Sequence, residues 1–426
     1  MKLSKAVALV LMFSGWHGES LASVQAGIAV VEITPPLTQK IFGYGAERHA
    51  TAVHDPLFAR ILVLRSGDVS LALVTSDLHR LRLPRLVGRI ANEIGIGNTI
   101  LAASLSHSAP ALDSENADTP WARATEQKIL EAVAKAARSL FRAKVDVAQG
   151  SVLASHNIRI VGEDGLAQTR WTNPSQEGTA PVDPTVSVLR IGEEDTGKLR
   201  AVLVNYACQP AVLGPDSHLV SADYPGALSR FVQGELGWEV ACLFAAGASG
   251  QIAPFNSRLS GPEASAELEN MAQRLGREVV RLARSTSSTE PVVDLKVQQK
   301  RLACRNGNGQ SFAVCTVLLS RLVALVALPD DLFVEFQLSL SARSPVPATI
   351  LLSNAYSNGS LRVGPIPTIA AAAEGGFGLD AGADAWMGAG EEMVDEALIQ
   401  LYRFLGKLDD IPRGRLVVEL PDLKSP

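Results

Sequence analysis

The sequence predicts an α/β fold with mixed β-sheets and covering helices. Through the first two thirds of the chain, short apolar runs rich in β-branched residues alternate with amphipathic stretches. Alternation of this kind sets helices against a parallel or mixed sheet. The last third turns to closely spaced strand-like runs before one closing helix. With 426 residues, 47% of them hydrophobic, the chain has ample core for one large domain or two medium ones.

The elements follow in order. FARILVLRS (58–66), VSLALVTSD (69–77), TILAASLS (99–106), LRAVLVNYA (199–207) and EVACLFAAG (239–247) read as strands, each a compact apolar run bounded by polar or turn residues. Helical patterns lie at about 81–95, 119–142 and 224–236. The most regular is TPWARATEQKILEAVAKAARSLFRAK, with Ile129, Val133, Ala136 and Leu140 on one face. Another amphipathic helix runs from Pro262 to about Arg284. VDLKVQQKRLAC (293–304), FAVCTVLLSRLVALVAL (312–328) and ATILLSN (348–354) form a second, more antiparallel group of strands, and GAGEEMVDEALIQLYRFLGKL closes the fold. No repeat or low-complexity linker divides the chain.

The N-terminus carries the parts of a signal peptide. MKLSK is a charged leader, AVALVLMFS an apolar core too short to span a bilayer, and Ser20-Leu21-Ala22 a small-residue cleavage site. The expected division is a signal peptide over 1–22, one α/β domain over 23–407 and a tail over 408–426. Export to a periplasmic or secreted location follows, with no transmembrane segment in the mature chain. A net charge of −5 without a basic run argues against a nucleic-acid partner. Cys304 and Cys315 flank RNGNGQSFAV, whose Asn-Gly-Asn-Gly core signals a tight turn. A disulfide between them is expected in an oxidising compartment. Cys208 and Cys242 read as small buried side chains.

Ligand sites in such folds lie beyond the C-terminal ends of strands. Four loops qualify: GYGAERHATAVHDP (43–56), SHSAPALD (106–113), ACQPAVLGPDSHLVSADYPG (207–226) and AAGASGQIAPF (245–255). They hold His49, His54, His107 and His218, and are expected to converge.

The same stretches resemble the catalytic domain of the neutral/alkaline, non-lysosomal ceramidases. AGIAVVEITPP followed by GYG and VHDPLFAR looks like the start of that domain. The likeness continues through SLSHSAP, VDPTVSVLRI, NYACQP, LVSADYPG, GASGQIAP, LPDDLFVE, VGPIPT, EGGF and the closing helix. It spans essentially all of the chain after residue 22, and the order of a dozen motifs carries it rather than any one of them. The resemblance implies that fold, without room after residue 407 for the immunoglobulin-like C-terminal domain of long family members. It implies amide hydrolysis, typically freeing a fatty acid from ceramide, by a zinc ion that lowers the pKa of a bound water.

Carried over residue by residue, that zinc site is altered. Its ligands in the family are two histidines, a glutamate and a tyrosine. Leu105 stands at the first histidine of a Thr-His-Thr-His-Ser-Gly-Pro signature, which here reads Ser104 to Pro110. Gln209 stands at the second, in Cys208-Gln209-Pro210. Asp331 matches the glutamate after a Leu-Pro pair, and Phe377 matches the tyrosine after Gly375-Gly376. Gln251 and Ala253 change the family's Gly-Asp-x-Ser/Asn-Pro loop, and Ile158 replaces the arginine of an Asn-Arg pair. By this count no metal is expected, although the family implies zinc.

His107 stands where the family keeps a second histidine, and it serves equally well as a group satisfying nearby backbone. His54 reads chiefly as a loop-tying residue. Asp223 reads as a helix cap before Tyr224-Pro225, Asp183 as a turn aspartate, and Gly247 and Gly250 as points of close backbone approach. Three functions stay open. The leading one is an exported ceramidase-like protein without zinc-dependent hydrolysis, binding an amphiphile or a glycan in the old cleft. The second is a hydrolase with a rebuilt or metal-free site, using His107 as base with Asp223 or Glu374 nearby. The third is a structural or partner-binding envelope protein.

Overall fold

The computed structural model describes residues 24–45, 48–113, 117–285, 295–303, 311–357, 364–379 and 387–411. Thirteen strands build its two main sheets: β1 Gln25–Glu32, β2 Phe58–Ser66, β3 Val69–Ser76, β4 Asn98–Ala103, β5 Phe141–Ser151, β6 Thr185–Glu193, β7 Leu199–Tyr206, β8 Ala241–Ala246, β9 Lys296–Ala303, β10 Ser311–Ser320, β11 Val323–Ala327, β12 Ala348–Leu352 and β13 Ala355–Tyr356. The helices are α1 Pro84–Arg89, α2 Pro120–Arg138, α3 Tyr224–Leu236, α4 Gly261–Arg284, α5 Val334–Arg343, α6 Ile369–Glu374 and α7 Ala389–Phe404.

Nine strands form one sheet in the order β8-β7-β6-β5-β1-β2-β3-β4-β13, and four form a second, β9-β10-β11-β12. The two sheets stack face to face. Leu62, Leu73, Leu203 and Leu243 of the first meet Val317, Leu325 and Ile350 of the second in one core. Because side chains alternate along a strand, β2 sends Leu62 and Leu64 into that core and Ile61 and Val63 to the other face. There they pack against Leu86, Ile129 and Val133 of α1 and α2. Helices α3 and α4 cover the rest of that face through Leu228, Val232, Leu268 and Leu275. Helices α5 and α7 cover the outer face of the small sheet through Phe336, Leu340, Met393 and Leu401. Strands β2, β3, β7, β8, β11 and β12 are thus buried on both faces, which is why they read as compact apolar runs. The edge strand β9 (KVQQKRLA) and much of β5 are more exposed and more polar.

Most pairings are antiparallel. The parallel ones are β3 with β4, β7 with β8, and β11 with β12, joined across α1, α3 and α5. The helical pattern expected over 119–142 ends earlier. Thr119 caps α2 by accepting from Ala122 N at 3.1 Å, the helix stops at Arg138, and Phe141 already begins β5. The long run 312–328 is two strands turned at Arg321-Leu322. Helices α5 and α6 were not anticipated from the sequence.

The expected Cys304–Cys315 disulfide is corrected in part. Cys315 is a free, buried thiol, pushed up to about 12 by burial, and it sits opposite Gln299 deep in the hairpin. The register sets Ala303 opposite Ser311, four residues from Cys315, or roughly 13 Å along a strand. Cys304 itself lies outside the described residues, as does the expected signal peptide. Among the described residues no helix is long and apolar enough to cross a membrane.

Candidate functional site

The loops that leave the C-terminal ends of β3, β4, β7, β8, β11 and β12 meet at one end of the stacked sheets. Backbone bonds lace them together: His107 N donates to Pro210 O (3.0 Å), Gln209 N to Ile252 O (2.9 Å), Gly250 N to Leu332 O (2.8 Å) and Asn354 N to Asp330 O (2.8 Å). Backbone strain gathers here as well. Non-glycine residues with positive φ include Leu105, Asp223, Arg258, Asp330 and Asn354 in these loops and Tyr44 in the segment after β1. Conformations of this kind cost on the order of 1–3 kcal/mol each and persist where surrounding structure dictates them, often at functional sites.

The floor of the site is a closed hydrogen-bonded set. Gln209 Nε2 donates to Asp331 Oδ2 at 2.8 Å and to Gly250 O at 3.0 Å. Ser249 Oγ donates to the other Asp331 oxygen at 3.0 Å. Burial pushes the Asp331 carboxyl up to about 7, against the pull of these two hydrogen bonds and with a further push from neighbouring Asp330. Gly250 has no room for a side chain, since a Cβ would lie 2.7 Å from Asp331 O. Gln251 turns away, accepting from Val334 N (3.0 Å) and donating to Glu335 (2.6 Å). Next door, Arg82 forms an ion pair with the fully buried Asp330.

One wall is built on His107. Gly43 packs against it, where a Cβ would lie 2.8 Å from His107 atoms. The ring contacts Tyr44 (4.9 Å between centroids) and the edge of His79 (5.6 Å). Burial and the nearby Arg48 hold His107 down at about 4, so it is neutral at pH 7. Its Nδ1 is enclosed and has no hydrogen-bond partner among the described residues, and the same holds for the hydroxyls of Ser104 and Ser108. From Tyr44 the wall continues outward: Arg258 lies over the Tyr44 ring (4.9 Å) and the Trp171 ring (4.4 Å), and Trp171 meets Phe377 edge-on (5.3 Å).

The structure brings some of the sequence-derived site residues together and not others. Gln209 and Asp331 touch. Leu105, 7% exposed with φ +67°, lies two residues before His107 at the end of β4. Phe377 joins the outer wall, its carbonyl held by Arg159 (2.9 Å). Ile158 and Ala253 are buried in the adjoining ribbon, where Ile158 N donates to Gln251 O at 2.8 Å. Asp223 is engaged elsewhere. It accepts from Val212 N, Leu213 N and Tyr224 N (3.3, 3.0 and 2.8 Å) and caps α3. Burial raises it to about 6 despite those donors. Glu374 is paired with Arg159 at 3.0 Å. Neither carboxylate contacts His107, so the suggested base–acid partnership does not form. His54 bonds Asp55 (2.7 Å) and Ser265 (3.4 Å) beside α3 and α4, and its pKa is raised chiefly by the Asp55 hydrogen bond. Sequence reasoning missed Tyr44, Arg48, His79, Arg82, Trp171, Ser249 and Arg258. Only the GYG turn and the Asp330-Asp331 doublet offered a signal.

This architecture has solved counterparts. It matches the crystal structure of neutral ceramidase from Pseudomonas aeruginosa with a TM-score of 0.70, over 90% of this chain and 75% of that one, at 15% identity. It matches a ceramidase complexed with C2 with a TM-score of 0.72, over 90% and 76%, at 14% identity. The chain has the neutral ceramidase fold. No family model matches the sequence, and no curated protein matches it. Identities this low establish the fold, and the chemistry of the ceramidase-fold site has to be read from its own residues.

The zinc that the resemblance implies can be tested against those residues. Zinc takes thiolate, imidazole or carboxylate donors, usually four in a tetrahedron. Leu105 and Phe377 offer none, the Gln209 amide nitrogen is a donor already spent on Asp331, and both Asp331 oxygens are occupied. Among the described residues no three His, Cys, Asp or Glu side chains converge. The group does not fit zinc.

Proposed function

We propose that this chain is an exported protein of ceramidase fold that does not catalyse zinc-dependent amide hydrolysis and binds an amphiphile at the former reaction cleft. The observation that carries the reading is the Gln209–Asp331–Ser249 set. Where the hydrolase chemistry calls for donors aimed at a cation, these side chains are aimed at each other. Without the metal the site lacks both carbonyl polarisation and a hydroxide at pH 7, which together supply several kcal/mol of transition-state stabilisation. The binding half rests on the outer wall, where Trp171 is 40% exposed beside Phe377. Export rests on the leader, apolar core and cleavage site of residues 1–22.

The test is incubation of the full chain with ceramide and with simple N-acyl amides, with and without chelator, while binding of a non-ionic amphiphile is followed by calorimetry. Binding without turnover in either condition is expected. Turnover that a chelator abolishes overturns the proposal. A second reading, a metal-free hydrolase, is favoured by one observation: a carboxyl near 7 exchanges protons at neutral pH. Chelator-insensitive turnover lost in Asp331→Asn would select it.

A further inference from the structure

Arg258 differs from the other arginines of the site. Arg48 spends both terminal nitrogens on the carbonyls of Gly214, Pro215, Ser217, Phe42 and His107, Arg82 is paired with Asp330, and Arg159 is spent on Glu374 and three carbonyls. Arg258, half-buried, meets only ring faces among the described residues, those of Trp171 and Tyr44. Its position is fixed from the backbone, which has φ +63° and donates to Ala211 O at 2.9 Å, while Leu259 N donates to Val212 O at 2.8 Å. Contact with ring faces uses none of the guanidinium N–H groups as hydrogen-bond donors, and these form a fork shaped for a carboxylate or phosphate.

The surroundings favour an anion. Arg48 lies on the same Tyr44 ring at 5.3 Å, and His107 beside it is neutral at pH 7. The acid groups acting here pair with neither cation: Asp216 acts on Arg48 from an exposed position, and Asp223 is taken up by three backbone N–H groups. The other side is apolar. Trp171 runs to Phe377, Gly376 packs against Ala167, and the hairpin that carries Ala167 exposes Val161 (47%) and Leu166 (56%).

We propose that Arg258, clamped between Tyr44 and Trp171, recognises the oxyanion headgroup of an amphiphile, a carboxylate or a phosphate monoester, whose alkyl chain lies along Trp171 and Phe377. This rests on the reading that the cleft binds an amphiphile and adds which kind.

The experiment is calorimetric titration of the full chain, in chelator, with laurate, dodecyl phosphate, dodecyl maltoside and acetate. Laurate or dodecyl phosphate is expected to bind about tenfold or more tightly than dodecyl maltoside, the scale of a charge-assisted hydrogen-bonded pair, and acetate is expected not to saturate. The stronger of the two anions identifies the headgroup. Arg258→Gln should abolish the preference, bringing laurate and dodecyl phosphate down to the affinity that the same variant shows for dodecyl maltoside. Arg258→Lys, which keeps the charge but not the fork, should retain part of it. Thermal melts matching that of the unsubstituted chain confirm that both variants fold. Equal affinity for ionic and non-ionic amphiphiles, or a preference that survives Arg258→Gln, overturns the assignment while leaving the cleft reading intact. Acetate binding as tightly as laurate removes the alkyl half of it. Binding of none of the amphiphiles overturns both.

Discussion

The segment under helix α3 and the floor with its adjoining His107 wall are two polar regions joined by the Ser106 Oγ to Ser221 O hydrogen bond, and they are satisfied differently. Under α3, Asp223 takes three backbone N–H groups, and Asp55 takes Ser221 Oγ, Ala222 N and His54. That region is a finished scaffold. The floor pairs Gln209 with Asp331 but leaves His107 Nδ1 and the hydroxyls of Ser104 and Ser108 enclosed without partners among the described residues. Buried polar atoms are nearly always paired, so these three, which stand side by side on one wall, leave room for a further polar partner there, whereas the other unpaired atoms, such as Ser217 Oγ and Arg190 Nε, are scattered.

Substitutions can break or sharpen this contrast. The largest effect is expected on the scaffold side. Asp223→Ala strips the acceptor from three buried N–H groups and the cap from α3, and should cost roughly 3–5 kcal/mol in urea unfolding. On the floor the sign reverses. The Asp331 carboxyl is raised from its ordinary value near 4 to about 7 in the folded chain. Between those pH values the unfolded chain releases a proton that the folded one keeps, so this contribution to stability is present below pH 4 and lost as pH rises to 7. Asp331→Asn should therefore stabilise the chain at pH 8, by roughly 2–4 kcal/mol, and do little at pH 4. An unchanged or lower stability at pH 8 would mean that the carboxylate has a cationic partner.

His107 gives a smaller effect on the acid side. Its pKa is held at about 4, below the ordinary 6.5, so stability is lost as pH falls from 6.5 toward 4. His107 is half-buried as a residue, so His107→Gln should flatten that limb by roughly 1–2 kcal/mol. Tyr44 ties the two regions together, with its ring on His107 and its hydroxyl donating to Leu213 O. Tyr44→Phe should cost about 1 kcal/mol, and a larger loss would show that the regions are coupled rather than merely adjacent.

Much of the fold was legible because many strands of both sheets are covered on both faces. The run 58–66 coincides with β2, and 199–206 falls within its expected strand, since a doubly buried strand cannot accommodate polar residues. Sheet order was not legible: β1 pairs with β2 and β5, strands far from it or from each other in sequence. Helix α5 escaped because FVEFQLSLSAR alternates apolar and polar residues as a strand would, although only Val334, Phe336, Gln337 and Leu340 of the helix are buried. The floor was half legible. Gln209 and Asp331 stand out against the resemblance, and the structure joins them. Arg258, Trp171 and Tyr44 are separated by tens to hundreds of residues, and nothing local marks a guanidinium that will end between two rings.

The central claim is that the floor is closed by its own hydrogen bonds and holds no zinc. The most direct measurement is elemental analysis of the full chain after dialysis against excess zinc and then buffer. The account predicts a zinc content far below stoichiometric, unchanged in Asp331→Asn. About one zinc per chain, lost in Asp331→Asn, would contradict it, because a tetrahedral site needs three or more strong donors and they would have to be gathered around Asp331 after all.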